Sequence, residues 1–222
     1  VIFSNLSYTN VVLYDRRMDM CGRFSIDETV IPEIEAIVGY VDSRLRGGFC
    51  GGACGRDIHP SEEAPVLAAD SCGKMQNGPC IAWYRWGVPG FDGKRLIFNA
   101  RAESAAEKRM FREGVRAHRV AVPGSSFYEW NGKKEKFTFR RTDGEALFMA
   151  GFCVWTDGGE RFVILTTEAN ESMVPAHSRM PLILEKNEVV SWITEEERLE
   201  EFLKKRPGPL ERQSDYEQLS LF

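Results

Sequence analysis

The sequence has no run of 18 apolar residues, so it predicts no transmembrane helix. It also lacks the order of a secretory signal, because Arg16 and Arg17 follow the first apolar stretch instead of preceding it. Positive charge is not in excess, since 29 Lys and Arg face 33 Asp and Glu for a net charge of -4. These absences argue against membrane attachment and a globally basic surface, and they predict a cytoplasmic protein. We expect it to be a monomer.

Histidine is scarce, with three residues, whereas cysteine is present six times. Two cysteine pairs, in "CGGAC" and "CGKMQNGPC", have spacers of three and seven residues, which fit common zinc-binding motifs poorly. Free thiols in loops are the preferred interpretation, and neither metal nor cofactor is expected. The sequence assigns no role to Cys50, Cys54, Cys72 or Cys80.

The chain predicts one α+β domain. Its 222 residues with 43% hydrophobic content suffice for a single substantial core. Aromatic and β-branched segments dominate after residue 80, and we expect a strongly curved, mainly antiparallel β-sheet with a barrel-like core and peripheral helices. A capping-box pattern at Ser25 to Glu28 predicts a helix ending near Gly39, and further helices are predicted at 103–111, 169–177 and 187–205.

Four polar residues stand in apolar or turn-forming segments: Cys21, Asn99, Glu129 and His177. Each alone has an ordinary structural explanation, such as a buried thiol, a strand end, a solvent-facing carboxylate or a helix cap. Together, however, they supply a thiol, an amide, a carboxylate and an imidazole, which are the groups needed for nucleophilic and acid/base catalysis.

Five motifs carry a family resemblance: "MCGRF" at 20–24, "NARAES" at 99–104, "PGSSFYEW" at 123–130, "GFCVW" at 151–155 and "HSRMPLIL" at 177–184. In this order they resemble the SOS response-associated peptidase family, whose members are also described as abasic site processing proteins. The resemblance extends from Met20 to the end of the chain.

The resemblance implies a covalent trap for abasic sites in single-stranded DNA, in which Cys21 is the N-terminal residue. A free α-amine adds to the C1′ aldehyde of the opened deoxyribose, and the neighbouring thiol closes a thiazolidine. An internal cysteine cannot do this, because its nitrogen belongs to an amide. The family also implies a self-processing peptidase activity, so we expect either cleavage after Met20 or a misassigned start, with 1–20 as a leader and 21–222 as the domain.

The resemblance also implies residue roles. Asn99 holds the α-amine of Cys21, Glu129 transfers protons during Schiff-base formation, and His177 promotes opening of the deoxyribose ring. The DNA-binding residues expected from the sequence are Arg23, Pro60, Trp86, Arg101, Arg109 and Arg179. The alternatives are that the arginines form ion pairs with carboxylates such as Glu103, and that Trp86 fills the core.

One segment departs from the family. Many relatives carry an Asn-x-Ala-Pro turn where this chain has "GRDIHP", so Asp57 and His59 precede Pro60. The family places this turn near DNA, where an acidic residue is unexpected. Two other functions stay open, namely a thiol peptidase that uses Cys21, His177 and Asn99, and a non-covalent binding module for single-stranded DNA.

Overall fold

The computed structural model describes residues 22–40, 42–48, 55–69 and 78–214. The strands are β1 (Phe24–Ile26), β2 (Arg56–Ile58), β3 (Glu63–Ala69), β4 (Pro79–Trp86), β5 (Val88–Pro89), β6 (Leu96–Ile97), β7 (Asn99–Arg101), β8 (Arg119–Gly124), β9 (Ser126–Trp130), β10 (Lys136–Arg141), β11 (Leu147–Thr156), β12 (Gly159–Glu168), β13 (Arg179–Pro181), β14 (Ile183–Leu184) and β15 (Leu210–Ser214). The α-helices are α1 (Ile31–Val38), α2 (Ser43–Gly48), α3 (Ala102–Ala105), α4 (Arg112–Ala117), α5 (Val189–Thr194) and α6 (Leu199–Leu203).

Five strands close into a barrel in the order β12, β4, β3, β8, β11 and back to β12. Every pair in this ring is antiparallel except β4 with β12, which run parallel where Arg85 lies beside Arg161. Closure removes the exposed edges that an open sheet would present to other chains. The predicted α+β domain with a strongly curved, mainly antiparallel, barrel-like core is confirmed.

A second sheet has the order β15, β10, β9, β1, β2. It joins the barrel through aromatic packing, because the Trp86 ring of β4 lies 5.1 Å from Phe24 of β1 and 6.1 Å, nearly parallel, from Phe162 of β12. The hydrophobic core is therefore continuous between the two sheets. It fixes the position of β1, the strand that follows the N-terminal segment.

The first predicted helix exists, but its cap differs from the prediction. Ser25 lies within β1, and Asp27 is the residue whose side chain accepts the Thr29 N–H, at 3.0 Å, ahead of a 3-10 turn that leads into α1. α1 ends at Gly39, whose φ of 77° is accessible to glycine without steric strain. The capping box was wrong because pairing of β1 with β9 competes for the same residues.

The helix predicted for 169–177 is also wrong, because this segment is a series of turns. The Asn170 side chain accepts the Ser172 N–H at 3.1 Å and donates to the carbonyl of Gly208 at 2.7 Å, so it organises the turns in place of a helical start. The long helix predicted for 187–205 is divided into α5 and α6 by a 3-10 turn. In the described ranges no helix combines the length and apolar character that crossing a bilayer requires.

Candidate functional site

A cleft of about 880 Å³ opens at the carboxyl end of β12. Two short strands flank this end, with β7 parallel on one side and β13 antiparallel on the other. Five of the predicted site residues line the cleft: Asn99, Arg101, Arg109, His177 and Arg179. The two strands therefore bring together residues that lie about 80 positions apart in the sequence.

Asn99 and Arg101 lie on β7, in register with Ile164 and Thr166 of β12. Residues at positions i and i+2 of a strand share one face, so the amide and the guanidinium enter the cleft from the same side. Arg101 is exposed and, like Arg109, makes no ion pair or hydrogen bond with the described residues through its side chain. Both guanidiniums are available to an anionic ligand.

His177 occupies the other wall, at the end of the turns before β13. Its Nδ1 accepts a hydrogen bond from the backbone N–H of Arg179 at 3.0 Å. A backbone N–H can only donate, so in the neutral ring the proton resides on Nε2. Burial of the imidazole, together with the positive charge of Arg179, lowers the pKa of His177 below its ordinary value, and the ring is neutral at pH 7.

Arg179 connects the two walls of the cleft. Its guanidinium donates two parallel hydrogen bonds to the Glu103 carboxylate, at 2.7 and 2.8 Å, and a third to the Thr166 carbonyl at 2.6 Å. The hydrogen bonds from Arg179 also lower the pKa of Glu103. This bidentate geometry restrains the loop that carries His177, and it commits the guanidinium to a protein carboxylate.

Glu129 lies in β9, outside the cleft lining, with only 5% of its surface exposed. One carboxylate oxygen accepts the N–H of Trp130 at 3.1 Å. The antiparallel register pairs Phe24 with Phe127, and the Tyr128 N–H donates to the Arg23 carbonyl at 3.0 Å. Glu129 follows Tyr128 directly on β9, so it lies next in sequence to the residue of β9 that contacts the segment before β1.

The family model for "SOS response associated peptidase (SRAP)" matches residues 20–217. This chain belongs to the SRAP family. It is 34% identical over 192 residues to the abasic site processing protein YedK of Escherichia coli, covering 80% of this chain and 81% of that protein. It is also 28% identical over 190 residues to the abasic site processing protein YoaM of Bacillus subtilis, covering 78% and 79% of the two chains.

Solved structures share the fold of this SRAP domain. A crystal structure of a Bacteroides thetaiotaomicron protein superposes with a TM-score of 0.70 at 20% identity, covering 87% of this chain and 91% of the other. A phage-related protein from Bordetella bronchiseptica gives 0.68 at 19% identity, covering 87% and 93%.

Trp86 does not reach the surface of the SRAP domain. Its side chain is fully buried, and Nε1 donates to the Phe98 carbonyl at 2.9 Å. The prediction that Trp86 stacks on DNA is therefore wrong, and the core alternative holds. The indole instead lies between Phe24 and Phe98, with ring centroids 5.1 and 5.5 Å away, and so sets the spacing between β1 and the residue preceding Asn99.

Pro60 lies outside the cleft lining, in a half-buried turn between β2 and β3. The next residue, Ser61, has a φ of 78° and donates its N–H to the Trp86 carbonyl at 2.8 Å. Arg23 lies near this turn, ion-paired with Asp57. Neither residue lines the cleft, so their predicted contacts with DNA remain predictions.

Phe91 and Lys108 also line the cleft, although neither was predicted from the sequence as a site residue. Phe91 is 89% exposed at the tip of the β5–β6 hairpin, an unusual place for a large apolar side chain. The turn pattern "PGFDG" could have revealed it, because a phenylalanine between turn-forming residues has no core to enter. Lys108 adds a positive charge at the rim.

Cys21, Cys50, Cys54 and Cys72 lie outside the described residues. Within the described ranges, no group of three His, Cys, Asp or Glu side chains is arranged to hold a metal ion. The Cys153 thiol is buried, and this burial raises its pKa to about 12.

Proposed function

We propose that this protein processes abasic sites in single-stranded DNA by covalent capture on the amine and thiol of an N-terminal Cys21. The observation that carries the proposal is the cleft, which joins an amide and a neutral imidazole to exposed guanidiniums in a member of the SRAP family. Relatives named abasic site processing proteins support the choice of lesion.

The chemistry balances with loss of one water. The α-amine of Cys21 adds to the C1′ aldehyde of the ring-opened sugar, and the carbinolamine loses its hydroxyl as water to give a protonated Schiff base. The thiolate then adds to C1′, and the nitrogen accepts the electron pair of the C=N bond. The product is a five-membered thiazolidine. The amine has a reference pKa of about 7.7 to 8.0, so a useful fraction is unprotonated near neutral pH.

Glu129 is the proposed proton carrier of these steps. The carbinolamine needs an acid to release water, and the thiol needs a base, so one carboxyl group that alternates between its two forms serves both. Its burial, and its place on β9 directly after Tyr128, whose N–H binds the Arg23 carbonyl, support this role. Asn99 is the proposed partner of the amine. Its side chain lines the cleft, and its amide oxygen can accept a hydrogen bond from an amine N–H.

His177 is the proposed donor for ring opening. Nδ1 is occupied by the Arg179 N–H, so Nε2–H is the group that a ligand meets. A hydrogen bond from Nε2–H to the ring oxygen of the deoxyribose stabilises the negative charge that forms as the C1′–O4′ bond breaks.

Arg101, Arg109 and Lys108 are the proposed phosphate contacts. All three line the cleft and are exposed, and they give the acidic chain a local positive surface. Phe91 at the same rim is a candidate for stacking on a base, which is sequence-tolerant because every base has an aromatic face.

A thiol peptidase is the alternative, and the geometry of His177 disfavours it. In such a triad one imidazole nitrogen accepts the thiol proton while the other donates to an amide or carboxylate. Here Nδ1 already receives a backbone N–H, and Nε2 carries the proton of the neutral ring. Neither nitrogen of this tautomer is left to accept a proton from Cys21.

The test uses protein released from a cleavable fusion so that Cys21 is the first residue, as verified by intact mass. It is incubated with a single-stranded oligonucleotide whose one uracil has been removed by a glycosylase. A heat-stable adduct on a denaturing gel is expected, with a mass equal to the two reactants minus one water. Glu129→Gln should slow its formation by about 100-fold with little change in DNA affinity.

The matched control carries one extra glycine before Cys21. Its amine and thiol no longer lie on adjacent carbons, so it can form a borohydride-trappable Schiff base but no thiazolidine. A heat-stable adduct of equal yield from this control would contradict the proposed chemistry. Failure of both proteins to react would contradict the proposed function.

A further inference from the structure

Asp57 organises a cluster that spans three strands of the second sheet. It lies on β2, beside β1, and β9 follows on the far side. One of its carboxylate oxygens forms an ion pair with Arg23, and the other accepts the Tyr128 hydroxyl at 3.1 Å. Both oxygens are therefore engaged, one by Arg23 in the segment that precedes β1 and the other by Tyr128 of β9.

The Tyr128 ring also receives two cations. The Arg23 guanidinium carbon lies 5.2 Å from the ring centroid, and the Lys136 ammonium lies 4.3 Å from it. Cations are attracted to an aromatic face but repel each other. Asp57 is the carboxylate that offsets this positive charge. Loss of Asp57 should therefore weaken the position of Arg23 in two ways, by removing the ion pair and by leaving the two cations to repel each other.

The cluster is close in sequence to the proposed reacting group, Cys21. Arg23 is two residues from Cys21, and the backbone contact between Arg23 and Tyr128 ends the regular pairing before Gly22. Glycine contributes no side chain that could anchor the chain at this point. Among the described residues, Arg23 is therefore the nearest in sequence to Cys21 whose side chain is held by neighbouring strands.

We propose that Asp57 is a positioning residue, which holds Arg23 and Tyr128 so that the segment leading to Cys21 is oriented for attack. Because Asp57 holds Arg23 in an ion pair, the Arg23 guanidinium does not also bind a DNA phosphate. The first part rests on the proposed function. The second part concerns only the binding of single-stranded DNA.

The charge commitment is tested on lesion-free single strands, from the dependence of affinity on salt concentration. Each phosphate contact to a single strand contributes about -0.7 to the slope of log K against log salt. Arg23→Gln should leave this slope unchanged, because the charge is already engaged. Asp57→Asn should steepen it by about 0.7 and tighten binding, and Asp57→Asn combined with Arg23→Gln should restore the original slope. A slope that becomes shallower by about 0.7 with Arg23→Gln alone would overturn the proposal.

Positioning is tested on the abasic strand, as the first-order rate of adduct formation at saturating DNA. Asp57→Asn keeps an acceptor for Tyr128 but loses the ion pair, and it should lower this rate about tenfold while binding tightens. Tyr128→Phe should lower the rate without changing the salt slope. An unchanged rate with both variants would overturn the positioning role.

Asp143→Asn is the control for charge. It removes a carboxylate from another arginine pair, that of Arg141, which retains Glu185. It should change neither the rate nor the slope, and equal effects from Asp143→Asn would overturn the proposal. If protein with a verified N-terminal Cys21 forms no adduct, the proposed function fails. The salt slopes then still show whether the Arg23 guanidinium is held by Asp57 or binds DNA.

Discussion

The Nδ1 atom of His177 accepts the backbone N–H of Arg179, two residues later, at 3.0 Å. This contact requires an unprotonated Nδ1, so protonation of the ring breaks it and places a positive charge beside the Arg179 guanidinium. The loop that carries the imidazole therefore has one preferred protonation state.

The first prediction concerns stability against pH. The folded pKa of His177 is lowered relative to the unfolded chain, so the unfolded state binds a proton first as pH falls. Stability should be full above the unfolded value of about 6.5, and it should be lost as pH falls from there towards the lowered folded value. Denaturant unfolding at a series of pH values should show a smaller loss for His177→Gln. An identical pH dependence in both proteins would contradict the prediction.

The second prediction separates the arginines of the cleft. Arg101→Gln and Arg109→Gln should each weaken binding to single-stranded DNA and make the salt slope shallower by about 0.7, because neither guanidinium is paired with a described carboxylate. Arg179→Gln should instead destabilise the loop of His177, since it leaves Glu103 without its bidentate partner. Fluorescence anisotropy at several salt concentrations measures the slopes. Arg198→Gln, whose guanidinium pairs with Glu201 in α6, is the control of equal charge.

The third prediction concerns two aromatic residues, exposed Phe91 and buried Trp86. Phe91→Ala should reduce affinity for single strands about 5- to 150-fold, the equivalent of one lost stacking contact, with no change in melting temperature because Phe91 is 89% exposed. Trp86→Phe should cost roughly 2 kcal/mol of stability, since it leaves the Phe98 carbonyl without its donor and a gap in the core. If Phe91→Ala binds as tightly as the parent, the stacking assignment is wrong.

The fourth prediction concerns thiol reactivity. Burial raises the pKa of Cys153 to about 12, so its thiolate is scarce at pH 8 and the sulfur is inaccessible. Iodoacetamide should not modify Cys153 in the folded protein but should do so after unfolding, as peptide mass mapping would show. Rapid native-state modification would indicate that β11 opens.

Most strands after residue 80 were predictable because they are rich in aromatic and β-branched residues. Strand β10 of the second sheet, for example, is the segment "KFTFRR", in which two phenylalanines alternate with polar residues. The helix predicted for 169–177 failed because its periodicity was outweighed by the side chain of Asn170, which bonds a carbonyl 38 residues away. Local pattern cannot represent such a contact.

The candidate site was predictable in its chemistry more than in its arrangement. Residue types and motifs indicated Asn99 and His177, and the cleft brings them together. Sequence could not tell that Trp86 is buried, because a tryptophan beside a turn has the same pattern whether it packs inward or outward. It also could not tell that Asp57 would engage Arg23, since the pairing depends on the register of β1 with β2.

The pairing of Phe24 with Phe127 has a consequence during synthesis. Strand β1 has no partner on its β9 side until about 100 further residues have been made, which takes about 5 to 20 seconds at ordinary translation rates of about 5 to 20 residues per second. Throughout that interval β1 can pair with β2 but not with β9, so the second sheet is incomplete on that side. The processing before Cys21 that the proposed function requires therefore has this interval before β9 joins the sheet.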